Sequence, residues 1–196
     1  MNRHEITELH YIVPIRNLPS VMEHGILSHS RAAKVAHGSV AMEEIQTRRR
    51  DKRIPCARSL HDYANLYFDA HNPMLSRVRE RNDTICVLRV DAGVLDLPGV
   101  IIADCNASSG YVHFQPVVEG LAALSRERVF ARYLTHPEDP LDEMRHKSQK
   151  CAEVLVPDRV DPCYIVGAYV ANATALAGIK GSGFCLNAQV KSDMFF

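Results

Sequence analysis

The chain lacks any long apolar run. Its first residues, MNRHEITELH, carry charges where a signal peptide needs an apolar segment, and no stretch approaches the ~18 apolar residues of a membrane span. The six cysteines are widely spread, and no two stand in the C-x₂-C spacing of a zinc site. Free cysteines within apolar runs are typical of a reducing compartment, so we expect a cytoplasmic protein. The missing apolar stretch and the cysteine spacing predict no membrane span and no metal site.

Several nucleotide-binding and hydrolase motifs are also absent. The sequence contains no G-x-G-x-x-G of a Rossmann fold, no G-x-x-x-x-G-K-[ST] of a P-loop and no G-x-S-x-G nucleophile elbow. A dinucleotide would therefore have to be held in another way. Lys+Arg and Asp+Glu number 23 each, so a nucleic-acid site would have to come from local clusters rather than from a global field.

The organisation of the 196 residues predicts a single domain over residues 1–196, because no repeat or linker divides them. Short apolar runs between Gly, Pro, Asn and Asp predict strands, without strict β–α alternation. We therefore predict an α+β fold with a mixed sheet split around a cleft and peripheral helices. Predicted strands are residues 9–15, 63–68, 84–90, 99–103, 151–156, 164–170 and 184–190; predicted helices are 17–25, 41–50, a short one after 72, 114–124, 127–134 and 172–178. Pro14 limits the first strand to a sheet edge or a strand end.

The densest charge cluster is RRRDKRIPCAR, residues 48–58, with six basic residues against one acid. Such a cluster can neutralise the phosphates of a nucleic acid or a dinucleotide. A solvated helix end, favoured by the helix dipole, explains most of these arginines equally well. The aromatic stretch HDYANLYFDAHNPML follows and could stack nicotinamide or a nucleobase, although burial in a core strand is the commoner role for such residues. Tyr67 and Met74 are the candidates there.

Two polar residues interrupt apolar strands. Glu153 lies in CAEVLVPD, where an ionised carboxylate is costly unless it faces a cleft or has a partner. An equally good interpretation is that Glu153 is a strand-edge residue whose side chain is exposed to solvent. His10 lies in LHYIV, where its imidazole could hydrogen-bond a ribose hydroxyl or an amide; a satisfied core histidine is the commoner case.

Five segments of the chain, in order, resemble the DarT toxins, DNA ADP-ribosyltransferases with a split-sheet ADP-ribosyltransferase fold. The resemblance spans nearly the whole chain. The segments are HYIVPIRNLPSVMEHGILS, IQTRR, HDYANLYFDAHNPML, CVLRVDAGVLDLPGVIIAD and KCAEVLVPD.

This resemblance implies an enzyme that transfers ADP-ribose from its co-substrate NAD⁺ to a thymine or guanine base of single-stranded DNA and releases nicotinamide. It implies that Glu153 is the catalytic glutamate and that Arg49 contacts NAD⁺ and steadies charge at the reacting centre. The other positions implied around NAD⁺ are His10, Tyr11, Ile12, Asn17, Leu27, Tyr67 and Met74. Asn106, Arg145 and Lys147, with a loop at residues 142–150, are implied near the DNA.

One departure from the family pattern concerns the first strand. The family reads Tyr-His where this chain reads His10-Tyr11. Because successive strand residues point to opposite faces, either Tyr11 takes the nicotinamide-side position or a shift of one residue gives that position to His10.

The resemblance further implies a partner, a macrodomain antitoxin of the DarG type, and we expect the chain to be a monomer. Two other functions stay open. One is a catalytically silent module that binds single strands, and the other is an ADP-ribosyltransferase acting on RNA or protein.

Overall fold

A mixed eight-stranded sheet forms the centre of the protein. The computed structural model describes residues 1–35, 47, 49–50, 52–54, 58–134 and 138–196. The strands are β1 (Glu8–Pro14), β2 (Ile26–Leu27), β3 (Tyr63–Tyr67), β4 (Ile85–Asp91), β5 (Ile101–Ala103), β6 (Phe114–Pro116), β7 (Glu153–Pro157), β8 (Arg159–Val160), β9 (Ile165–Val170) and β10 (Ala188–Val190). Their order in the large sheet is β10-β9-β4-β1-β3-β7-β5-β6, and β2 pairs with β8 in a small second sheet.

Helices flank this sheet, and their ends follow local sequence signals. The α-helices are α1 (Leu18–His24), α2 (His29–Ala32), α3 (Pro73–Arg77), α4 (Val117–Ala123), α5 (Arg126–Val129), α6 (Pro140–Gln149) and α7 (Ala173–Gly181). The Asn72 side chain caps α3 by accepting the N–H groups of Met74 and Leu75 at 2.9 and 3.1 Å. Gly25 ends α1 at φ 86°, a conformation that glycine adopts without strain.

The large sheet is split into two halves that meet at one point. Strands β1 and β3 share a single residue pair, His10 opposite Tyr67. In contrast, β1 pairs with β4 along its whole length, and so does β3 with β7. All neighbours are antiparallel except β9 and β10, which are parallel. The predicted α+β fold with a mixed, split sheet is therefore confirmed.

The main hydrophobic core lies on one face of this sheet. Leu9 and Val13 of β1 point into it, and neither is more than 2% exposed. Helices α1, α4 and α7 cover this face with Leu18, Leu121 and Ile179. Because side chains alternate along a strand, His10 and Ile12 point to the opposite face.

Two predicted elements are wrong in type. Residues 142–150 were expected to form a loop, but most of them belong to helix α6. In that helix Leu141 and Met144 are exposed and only His146 is buried. It therefore lacks the buried apolar stripe by which a helix is recognised in a sequence. The helix expected over residues 114–124 begins with the short edge strand β6, and only Val117–Ala123 is helical.

Other predicted boundaries are too generous. The helix expected at 127–134 is Arg126–Val129, the strand expected at 184–190 is Ala188–Val190, and the strand expected at 99–103 begins at Ile101. Pro14 does end its strand as expected, but β1 is a central strand and not an edge. Residues 41–46 and 48 of the helix expected at 41–50 lie outside the described residues. Throughout the described ranges, no helix is long and apolar enough to cross a membrane.

Gly120 of α4 lies directly on Ile102 of β5, where a Cβ would come within 2.4 Å of the Ile102 Cβ. We expect Gly120→Ala to lower the free energy of unfolding by about 1–3 kcal/mol through overpacking, as measured by urea denaturation. Gly181→Ala is the matched control, because a Cβ at the end of α7 meets nothing within 4 Å. It should leave stability unchanged or raise it by up to about 1 kcal/mol. Equal losses in both variants would contradict this packing.

Candidate active site

Polar side chains form a row across the face of the sheet opposite the main core. The register aligns Arg89 of β4, His10 of β1, Tyr67 of β3 and Glu153 of β7. Directly opposed residues on neighbouring strands point to the same face, so these four side chains lie side by side. The row crosses the point at which the two halves of the sheet meet. We call these four residues the polar row.

Glu153 is completely buried, yet its carboxylate is well partnered. Arg49 donates from Nη1 to both carboxylate oxygens, at 3.1 Å to Oε1 and 3.0 Å to Oε2. The backbone N–H of Ala107 donates to Oε1 at 2.9 Å. A buried charge of this kind is tolerated only with such partners, and the alternative that Glu153 looks at solvent is wrong.

Two groups beside the buried ion pair, the Tyr67 hydroxyl and the Cys151 thiol, have raised pKa values. Desolvation, reinforced by the negative charge of Glu153, raises the pKa of Tyr67 well above its ordinary value. The same two causes raise the pKa of the Cys151 thiol to about 12. Both groups therefore keep their protons at neutral pH, and Tyr67 remains a hydrogen-bond donor beside the carboxylate.

His10 has protein partners for both ring nitrogens. Its Nδ1 lies 3.2 Å from the carbonyl oxygen of Phe68, and its Nε2 lies 3.3 Å from Oε1 of Glu8. Both partners are acceptors, so the ring can donate to both of them only when it carries two protons. At 6% exposure, His10 matches the interpretation of a satisfied histidine whose ring is locked in place.

Glu8 is a functional candidate that the sequence did not reveal. Its carboxylate also accepts from Arg89 Nε at 2.7 Å and from the Tyr169 hydroxyl at 3.0 Å. Hydrogen bonding from His10, followed by that from Arg89, lowers the pKa of Glu8 to about 2. The available signal was its position two residues before His10, on the same face of one strand.

The other residues expected around NAD⁺ are only partly brought together. Ile12, Met74 and Tyr67 pack around one small core cluster on the face of the polar row. Tyr11 packs instead against the main core on the opposite face. Asn17 directly precedes α1 and Leu27 lies in β2, so both are outside the polar row.

The residues expected near DNA lie close to one another. The N–H of Asn106 donates to the Ser148 carbonyl at 2.9 Å, which ties the loop at residues 104–113 to the end of α6. Helix α6 carries Arg145 and Lys147, both exposed, and Lys147 pairs with Glu143 at 2.5 Å. Ala107, the next residue after Asn106, is the one that donates to Glu153. The loop thus joins the expected DNA contacts to the buried carboxylate.

Among the described residues of the basic stretch 48–58, Arg49 is the one whose side chain contacts Glu153. Residues 48, 51 and 55–57 lie outside the described ones. Lys52 donates to the Ser109 carbonyl at 2.5 Å, and Arg58 lies 3.6 Å from Asp158. In the part of the chain that is described, no group of three or more His, Cys, Asp or Glu side chains could hold a metal ion.

A family model described as "ssDNA thymidine ADP-ribosyltransferase, DarT" matches residues 10–196. The chain belongs to the DarT family. A similar protein is a DNA ADP-ribosyl transferase–DNA ADP-ribosyl glycohydrolase fusion of Thermosipho africanus, 28% identical over 180 residues. That match covers 88% of this chain and 45% of the fusion protein, so the chain spans about half the length of this DarT relative.

Solved DarT structures share the fold described above. Thermosipho africanus DarTG in complex with ADP-ribose superposes with a TM-score of 0.83 at 27% identity, over 97% of this chain and 51% of that one. Thermus sp. 2.9 DarT in complex with ADP-ribosylated ssDNA superposes with a TM-score of 0.82 at 23% identity, over 98% of this chain and 97% of that one. Within this DarT fold, the polar row lies where the two halves of the sheet separate.

The carboxylate of Glu8 predicts a specific loss of stability in acid. Above pH 4.5 Glu8 is ionised in both the folded and the unfolded chain, so its full contribution to the stability of the folded chain is present. As the pH falls from 4.5 towards about 2, the carboxylate of the unfolded chain binds a proton first, and this contribution is lost. We expect Glu8→Gln to lower the free energy of unfolding by about 1–3 kcal/mol at neutral pH, and by less as the pH falls through that window.

The measurement is urea denaturation as a function of pH. Glu119→Gln, at an exposed position of α4, is the control and should follow the parent protein at every pH. A difference between Glu8→Gln and the parent protein that is constant with pH would contradict the network around His10.

Proposed function

We propose that this chain transfers ADP-ribose from NAD⁺ to thymidine in single-stranded DNA and releases nicotinamide. The description of the family names such an activity, and the similar Thermus protein is bound to ADP-ribosylated ssDNA. The observation on this chain that carries the proposal is Glu153, buried where the halves of the sheet meet and held by Arg49. A silent binding module would not need a buried, partnered carboxylate at this point.

The chemistry required matches the groups of the site. Cleavage of the bond between nicotinamide and ribose passes through a transition state with oxocarbenium character, in which positive charge grows on the ribose. The Glu153 carboxylate would stabilise that charge and bind the 2′-hydroxyl of the ribose. It would then accept the proton that the attacking base nitrogen loses as its bond to the ribose carbon forms. The bond electrons leave with nicotinamide.

Arg49 would hold NAD⁺ while it keeps Glu153 in place. Only Nη1 of its guanidinium donates to the carboxylate, at 3.0–3.1 Å. A guanidinium has five N–H groups in a rigid fork, so the remaining ones can bind a pyrophosphate oxygen at the same time. The side chain would thereby couple binding of NAD⁺ to the orientation of the catalytic carboxylate.

The remaining assignments rest on the family resemblance and, in part, on packing. Tyr67, Met74 and Ile12, which pack around one cluster on the face of Glu153, would form a wall of the NAD⁺ pocket. Asn17 and Leu27 would lie around the pocket as the resemblance implies. His10 shares the face of Glu153 and Tyr11 does not, which favours His10 as the nearer of the two to NAD⁺. Because Glu8 and Phe68 occupy its ring nitrogens, His10 would act through the fixed position of its ring.

Single-stranded DNA would pass over the loop at residues 104–113 and helix α6, where Asn106, Arg145 and Lys147 lie. A base stacked in a duplex cannot present its nitrogen to a buried centre, which favours a single strand. The fusion of transferase and glycohydrolase in the Thermosipho relative supports a DarG-type enzyme that removes the modification as the partner of this chain.

Substitution of the proposed catalytic carboxylate tests this function. We expect Glu153→Gln to reduce transfer of ADP-ribose to a thymidine-containing oligonucleotide at least about 100-fold, because the amide can neither balance the growing charge nor accept the proton. Mass spectrometry of the oligonucleotide after incubation with NAD⁺ measures the transfer. The control Glu119→Gln should keep full activity, and full activity in Glu153→Gln would refute the assignment.

The acceptor is tested separately with oligonucleotides that differ only in one base. The parent protein should modify single strands that contain thymidine and leave duplexes, RNA and protein unmodified. Nucleoside mass spectrometry identifies the modified base. Transfer to guanine, RNA or protein with none to thymidine would keep the enzyme class but overturn the proposed acceptor.

A further inference from the structure

A polar groove lies next to the polar row, just beyond the end of β3. It encloses about 200 Å³, opens to solvent, and its walls include His71, Phe130, Arg132 and Lys191. Asp69, which also lines it, comes two residues after Tyr67 of the polar row. On the other side, Lys191 places Nζ 4.4 Å from the centre of the Tyr169 ring, whose hydroxyl donates to Glu8.

The charges of this groove favour an anion. Two acids line it, Asp69 and Asp193, but Asp69 is paired with the completely buried Lys150. Arg132 and Lys191 line the groove as well, and within the described chain no carboxylate is within 4.0 Å of the Lys191 ammonium. The positive charges therefore outnumber the negative one that remains, and a phosphate backbone would be attracted here.

Aromatic rings lie beside these cations. Phe130 lines the groove and is 38% exposed, and Tyr133, three residues further along the chain, is 83% exposed. The Arg126 guanidinium lies 5.1 Å from the centre of the Phe130 ring, and His71 stacks on Phe196 at 4.1 Å. Arg132 also donates to the Asp193 carbonyl oxygen, which holds its guanidinium at the groove. Exposed rings next to cations are the chemistry by which proteins hold single-stranded nucleic acid, since bases stack while phosphates are neutralised.

The groove also lies beside the C-terminal end of α6, the helix that carries two of the expected DNA contacts. Lys150, which pairs with Asp69 under the groove, is the C-terminal cap of α6. The same lysine donates to the Val129 carbonyl at 2.9 Å, next to Phe130. Helix α6, with Arg145 and Lys147, therefore ends at the wall of the groove.

From these contacts we propose that the groove binds the backbone and one base of the single strand that flanks the modified nucleotide. It is a second anchor, separate from the site around Glu153, and it rests on the proposed function that single-stranded DNA is the acceptor. Because it holds backbone and a stacked ring, the anchor contributes affinity with little base preference. It fixes the register of the strand over the catalytic carboxylate.

The test compares a short with a long acceptor of the same modified sequence. An oligonucleotide of about 3 nucleotides cannot occupy both sites, whereas one of about 12 can. We expect Lys191→Gln and Arg132→Gln each to raise KM for the long oligonucleotide about 3- to 10-fold, with a weaker dependence on salt. KM for the short oligonucleotide and KM for NAD⁺ should stay within about two-fold of the parent values.

Lys180→Gln is the matched control, because it removes the same charge from α7, which covers the opposite face of the sheet. It should leave every parameter unchanged. The groove proposal is overturned if Lys191→Gln and Arg132→Gln weaken both oligonucleotides equally, if they affect neither, or if Lys180→Gln has the same effect.

Direct binding separates this proposal from the proposed function. Fluorescence anisotropy with the labelled long oligonucleotide, without NAD⁺, should show 3- to 10-fold weaker binding, about one phosphate contact, for Lys191→Gln than for Lys180→Gln. If the parent protein transfers no ADP-ribose, the proposed function fails, while this difference in binding still supports the groove. Equal binding by the two variants would overturn the groove even if transfer is intact.

Discussion

The ion pair between Arg49 and Glu153 is the interaction on which the arrangement of the site depends. A carboxylate with no exposed surface would be strongly unfavourable alone, and a buried pair repays its desolvation only when the remaining hydrogen-bonding sites are filled. Here Arg49 donates to both carboxylate oxygens, and the Ala107 N–H also donates to Oε1. These contacts bring the basic segment, the loop after β5 and strand β7 together at one point.

The polar row combines this pair with a second anionic centre. The Glu8 carboxylate is within hydrogen-bond distance of His10, Arg89 and Tyr169, and the Glu153 carboxylate accepts from Arg49. Tyr67 lies between the two carboxylates in the row. The single contact between β1 and β3 places both centres at the junction, because the strands separate on either side of it. The split sheet thus holds these charged groups in fixed positions at the junction of its halves, and fixed charges of this kind would suit the proposed cleavage.

Much of the fold follows from sequence pattern, whereas the site depends on contacts that pattern does not contain. The apolar runs at β1, β3, β4, β7 and β9 are long enough to predict strands. Strand β6 has only three residues and α6 has no apolar stripe, so neither could be identified from the sequence. Glu153 stood out as a polar residue in an apolar strand. Its partner Arg49 is 104 residues away, and the Ala107 donor is a backbone group with no signature in sequence.

A structure of the Glu153→Gln variant with NAD⁺ tests the central claim most directly, because slow turnover should preserve the dinucleotide. We expect the ribose that carries nicotinamide to lie within about 3 Å of the residue 153 side chain, with Arg49 in contact with the pyrophosphate. His10 should keep its bonds to Glu8 and Phe68. NAD⁺ bound elsewhere, with the side chain of residue 153 still closed off behind Arg49, would contradict a catalytic role for the buried pair.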